Sequence, residues 1–256
     1  MAFFVTLKPS RQAAFGQDSS NIPDPRFAMC SHYEAVKNPQ TLKTRFGVAP
    51  PSDLGRGDMW PGYLGPFVRS HPQARVGDEA VPAREALLGA FGLVPPWAKD
   101  ATMSRHTYNA RSETVAQKPS FSAAWREARH CLIAAEAFYE PDWRSGKAIS
   151  TRIARADGQP MGIAGLWERW KSPQGAVLHS FTMLTVNADA HPLMRHFHKP
   201  QDEKRMVVVL PEDRYGDWLE ATAAQSASFL TLYPAQDLVT QAPEPLEPPE
   251  AAPGLF

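Results

Sequence analysis

The chain has 256 residues, 43% of them hydrophobic, and its 27 basic and 27 acidic side chains balance. That length buries one substantial core or two small ones, and the balance excludes a protein that coats duplex DNA by charge alone, while leaving room for a local basic groove. The two cysteines, Cys30 and Cys131, form no CxxC pair and no disulfide framework, so a reducing cytoplasm is the expected compartment; no apolar run approaches the roughly 18 residues of a membrane helix.

Residues 1–28 mix polar and apolar side chains without period. The apolar run at residues 3–7 is cut off by Lys8 and is too short for the core of a signal peptide. Met29-Cys30-Ser31-His32-Tyr33-Glu34 then reads like the start of a protein. Residues 1–28 are therefore a start assigned too early, a pro-segment removed before Cys30, or a retained extension. In the first two cases Cys30 carries a thiol and a free α-amine together. In the third its nitrogen is an amide and cannot form an imine.

Downstream, Asn38-Pro39 is an N-cap followed by proline at the first helical position, and Gly47 closes a short helix. Residues 50–72 form a Pro/Gly-rich loop. Residues 86–94 are an apolar run interrupted by two glycines, which predicts a buried strand. A short helix is expected at residues 121–128 and a short strand at 131–134. Residues 149–153 alternate up to Asp157-Gly158, a hairpin signal that pairs them with residues 161–167. The turn Ser172-Pro173-Gln174-Gly175 leads into a strand at 177–186, followed by an apolar strand at 206–210 and a helix at 212–221. Residues 236–256 read as a Pro-rich disordered tail. The elements predict an α+β fold with mostly antiparallel pairing and a single domain over residues 29–235.

Taken singly, the chemically competent residues are weak signals. Cys131 beside Leu132-Ile133 reads as a small core residue. Glu140, next to Phe138-Tyr139, is either a structural carboxylate or a catalytic one, and His198 is either a satisfied histidine or a proton carrier. Arg111 could pair with Glu113, although neighbouring helix positions face each other poorly.

Together they form an ordered set: Gly92-Leu93-Val94-Pro95-Pro96-Trp97-Ala98-Lys99, Asn109-Ala110-Arg111-Ser112-Glu113-Thr114, Arg129-His130-Cys131-Leu132-Ile133, Phe138-Tyr139-Glu140, Ala164-Gly165-Leu166-Trp167-Glu168 and Pro192-Leu193-Met194-Arg195-His196-Phe197-His198. This set resembles the SOS response-associated peptidase (SRAP) family, the abasic-site shielding proteins, over residues 29–233. The resemblance implies one domain with a barrel-like sheet and short peripheral helices. It also implies capture of the ring-opened aldehyde of an abasic site in single-stranded DNA. An N-terminal Cys30 would form a Schiff base through its amine and close a thiazolidine ring with its thiol, and a self-processing peptidase step could expose it. By the same resemblance, Asn109 holds the terminal residue, Arg111 contacts a phosphate, Glu140 is the acid/base and His198 moves protons. Trp97, Arg129 and Arg195 are further DNA-binding candidates; Arg105, Arg126, Lys199, Lys204 and Arg205 also lie near the motif blocks, and Tyr139 and Phe197 could offer stacking faces. No metal or cofactor is expected, no membrane partner, and a monomer that associates with the nucleoid when bound to DNA.

The chemistry of an N-terminal cysteine fits that reaction. At pH 7 roughly 10–15% of an α-amine is neutral and nucleophilic, against roughly 0.04% of a lysine. The thiol lies one carbon away, so five-membered ring closure is intramolecular. The chain departs from the family pattern in three places. Cys30-Ser31-His32 stands where Cys-Gly-Arg is usual, so one phosphate contact is lost unless a protonated His32 substitutes for it in part; Phe91 and Pro141 replace tryptophans; and residues 199–205 are an insertion, expected as a charged loop contacting solvent or DNA. Three other readings stay open on the residues alone: a Cys30–His198 thiol hydrolase oriented by Asn109 or Glu140, a zinc site from Cys30, His32, His196 and His198, and a non-catalytic single-stranded DNA-binding module.

Overall fold

The computed structural model describes residues 30–74 and 80–241. The expected extension, residues 1–28, and the end of the expected tail, residues 242–256, lie outside the described residues.

Cys30 leads into β1 (His32–Ala35), and α1 (Pro39–Phe46) follows. The helix starts where the sequence places it: Asn38 Oδ1 accepts from the N–H groups of Gln40 and Thr41 at 2.9 and 3.3 Å. It ends at Gly47, whose φ of 69° is left-handed and favours glycine. Leu42 and Phe46, four apart, put one face of the helix into the core.

Residues 50–72 are not only a loop. They contain β2 (Asp58–Met59) and β3 (Leu64–Ser70). β4 (Arg84–Phe91) pairs with β3 from Leu64↔Ala90 to Ser70↔Arg84. Pro66 obscures β3 in the sequence; β3 is paired along its whole length on one side but meets a strand on the other side only at Val68, so one missing N–H is tolerated. Gly92 then allows a close approach: its φ is 116°, and a Cβ there would lie 1.8 Å from the Ser104 carbonyl oxygen.

β5 (Asn109–Arg111), α2 (Ser122–Arg126) and β6 (His130–Asp142) come next. β6 has 13 residues where a run of four was expected. Nearly all of it is buried on both faces, so no alternation marks its length in the sequence. β7 (Ile149–Arg155), β8 (Met161–Lys171), β9 (Val177–Asn187), β10 (Arg205–Val207), β11 (Val209–Leu210), α3 (Tyr215–Glu220) and β12 (Leu238–Gln241) complete the chain. The Asp157-Gly158 turn is present, with Gly158 at φ 71°, but β7 and β8 do not pair with each other. Both pair with β6 instead: β8 along residues 130–135 and β7 along 138–142. A strand this long serves two partners in series, which a hairpin argument cannot anticipate. The expected strand at 206–210 is split at Val208, whose N–H donates to Leu184 O while its own carbonyl accepts from Ala164. β12 pairs with β7, so residues 238–241 belong to the sheet and not to a tail.

The pairings β8–β9, β9–β4, β4–β3, β3–β6 and β6–β8 close a five-stranded barrel. Among the described residues, only β4·β9 and β5·β9 are parallel. The architecture is α+β with short helices at the periphery. Tyr33, Phe67, Phe91, Cys131, Ile133, Phe181 and Met183 fill one core cluster; Leu42, Phe46, Tyr215 and Trp218 belong to a second, beneath the helices. Cys131 is a fully buried core residue. No helix among the described residues is long and apolar enough to cross a membrane.

Candidate active site

β6 carries Glu140 past the barrel, where β1 lies antiparallel to it with His32 opposite Tyr139. That register brings Cys30, two residues before His32, to the carboxyl group. The Cys30 backbone N–H donates to Glu140 Oε2 at 3.2 Å. Asn109 Nδ2, on β5, donates to the Cys30 carbonyl at 3.4 Å. His198 Nε2 stands 3.5 Å from the same Glu140 oxygen, without hydrogen-bond alignment. The His198 N–H donates to Pro141 O at 2.8 Å, and Asp142 bridges to Phe197, which docks this segment against the end of β6.

All three ionisable groups are buried: Cys30 at 2% exposure, Glu140 at 1% and His198 at 6%. Burial pushes the Glu140 carboxyl above the usual carboxylate range; His198 and the Cys30 N–H oppose the shift without cancelling it. Glu140 Oε1 has no hydrogen-bond partner among the described residues. Burial also raises the Cys30 thiol, and the neighbouring Glu140 raises it further. Three non-glycine residues have positive φ among those described: Cys30 at 31°, His198 at 61° and Ala128 at 49°. Such a conformation costs about 1–2 kcal/mol per residue, and two of the three face Glu140. Tyr108, just before Asn109, stands in the same sequence block, which assigns it no role. Burial raises its phenol first, and the Cys30 and Glu140 charges add to the shift, which places it beside both.

The DNA-binding candidates divide. Arg111 shares a strand face with Asn109, two residues away, and pairs with Glu203, not Glu113. Trp97 is 58% exposed, on a segment anchored by Ala98, whose carbonyl accepts from Trp170 Nε1 at 2.9 Å. Arg195 is exposed three residues before His198. Arg129 is elsewhere. It pairs with the buried Glu168 and stands before the far end of β6, about 30 Å of strand from Glu140. It also pairs with Glu127, so its guanidinium lies between two carboxylates. His32 is the middle ring of a stack, 4.3 Å from Trp60 and 4.1 Å from Tyr139, and its Nε2 is held by Asp58 at 2.9 Å. That geometry packs the His32 ring between two aromatic faces and turns Nε2 towards Asp58. Arg205, Lys204 and Phe197 are buried. Arg205 is clamped by Glu113, Glu203 and the Thr185 carbonyl, so the inserted segment turns part of its charge inward. No group of three His, Cys, Asp or Glu side chains converges on a metal-sized site among the described residues.

The family profile described as SOS response associated peptidase (SRAP) matches residues 29–243. The chain belongs to the SRAP family. It is 34% identical over 152 residues to the abasic site processing protein YoqW of Bacillus subtilis, covering 58% of this chain and 64% of that protein. Identity to the abasic site processing protein HMCES of Rattus norvegicus is 26% over 182 residues, covering 59% and 49%. The matched stretch thus spans less than two thirds of these curated relatives. Among solved structures, a Bordetella bronchiseptica protein superposes with a TM-score of 0.75 at 46% identity, over 84% of this chain and 100% of that one. A Bacteroides thetaiotaomicron protein shares the SRAP fold at TM-score 0.67 and 19% identity, over 83% and 91%.

Proposed function

We propose that this SRAP protein processes abasic sites in DNA, and that it does so by capturing the ring-opened aldehyde on Cys30 as an N-terminal residue. The observation that carries the reading is the position of Glu140, buried and poised against both the nitrogen and the thiol of Cys30. The nitrogen is an amide in the chain as written and an α-amine once the chain begins at Cys30. The amine adds to the aldehyde carbon, and the carbinolamine loses water to give an imine. The thiol then adds to the imine carbon, and its proton passes to the nitrogen. Glu140, whose carboxyl burial shifts above the usual carboxylate range, is in this reading the acid that supplies the proton water needs to leave. His198, 3.5 Å from the same oxygen, returns it in this reading. The names of the relatives support the abasic site as substrate.

The same cysteine has a second use, as a hydrolase nucleophile; that use needs only the thiol and tolerates residues upstream of Cys30. Self-processing between Met29 and Cys30 remains part of the proposal, because Glu140 and His198 flank that nitrogen.

The test is incubation with single-stranded DNA carrying one abasic site. A chain beginning at Cys30 should give an adduct stable on a denaturing gel, and Cys30→Ala should give none. A chain that keeps residues 1–29 should react only after cleavage, read by intact mass. Absence of adduct from the Cys30-start chain throughout about pH 6–8, where an α-amine titrates, would refute the reading.

A further inference from the structure

Arg111 ends β5 with its side chain 47% exposed, and Nη1 donates to Glu203 Oε2 at 2.8 Å. Glu203 is not a loose surface carboxylate. Its other oxygen accepts from Arg205 Nη1 at 2.8 Å and from Asn187 Nδ2 at 3.0 Å. Arg205 is itself buried and held by both Glu113 oxygens at 2.9 Å. One Glu203 oxygen is thus tied to the interior and the other is presented to Arg111. The carboxylate sits in the turn between His198 and β10, beside the site but outside its reacting groups.

Carboxylate and phosphate oxygens engage a guanidinium through the same donors. We propose that Glu203 is a built-in counter-charge: it occupies Arg111 in the DNA-free protein, and a phosphate of the bound strand must displace it. The inference rests on the nucleic-acid reading given above. Part of what Arg111 gains from phosphate is spent on breaking an existing pair. Glu203 therefore weakens binding of every strand, with or without a lesion, and leaves the Cys30 chemistry untouched.

Anisotropy of a labelled, undamaged single-stranded oligonucleotide tests this on the full chain. An ion pair of this exposure is worth up to about fivefold in affinity. Glu203→Gln keeps an acceptor for Arg205 and Asn187 while removing the charge, and should tighten binding about three- to fivefold. Glu203→Asp, which keeps the charge but withdraws it from Arg111, should tighten it less. Arg111→Gln should weaken binding and, combined with E203Q, should erase the gain. Equal affinity of wild type, E203Q and E203D would overturn the inference, as would the same tightening in the presence of Arg111→Gln, which would mean a diffuse charge effect. If Arg111→Gln binds like wild type, no phosphate sits there and the inference falls alone. If no variant and no wild type binds, the nucleic-acid reading falls and takes this inference with it.

Discussion

His130 offers the sharpest quantitative test of the packing around β6. It is 2% exposed, 3.9 Å from the Trp218 ring, with Nε2 2.8 Å from Ser226 Oγ and Nδ1 without a partner among the described residues. Burial pushes its pKa down from 6.5 to about 4, and the Trp218 backbone offsets only part of that. The folded pKa lies below the unfolded one, so on acidification the unfolded chain takes the proton first. Stability from this group is complete above about pH 6.5 and is lost as pH falls towards 4. The loss is about 2 kcal/mol at pH 5 and about 3 kcal/mol near pH 4. His130→Gln retains a polar group for Ser226 and does not titrate. Denaturant unfolding followed by tryptophan fluorescence, at pH 7.5 and pH 5, should show wild type losing about 2 kcal/mol more than the variant. Parallel losses in the two proteins would refute the assignment of His130 as a buried neutral group.

Glu140→Gln should slow adduct formation by about 100-fold or more in a single-turnover gel assay. Its melting temperature should be unchanged or raised, because a buried carboxyl costs stability; an unimpaired rate would remove Glu140 from the chemistry. Arg205→Ala strands the inward-facing ion network and should cost about 3 kcal/mol in chemical unfolding, against less than about 1 kcal/mol if the network is merely a surface one. Trp97→Ala should leave thermal stability unchanged, since the ring is 58% exposed, and weaken single-stranded DNA binding about tenfold. Loss of stability without loss of affinity would make Trp97 a packing residue.

The local signals that held are those whose physics is local. Asn38, Pro39 and Gly47 bound α1 because capping and left-handed φ are decided within a few residues. The turns at Gly158 and Gly175 are fixed by the same freedom of glycine. The chemistry open to Cys30 was also readable from residue types alone. Other features needed the whole fold. β3 and most of β6 carry no usable alternation, because a strand buried on both faces has no polar side to reveal it. Arg129 and Arg111 look alike in the sequence, yet one neutralises buried Glu168 and the other meets Glu203 beside the site. Even the pairing of Glu113 with Arg205, 92 residues away, is invisible along the chain. The residues determined which groups could react. Closing the barrel determined which of them meet, because β6 must carry Glu140 out of the core to the point where β1 delivers Cys30.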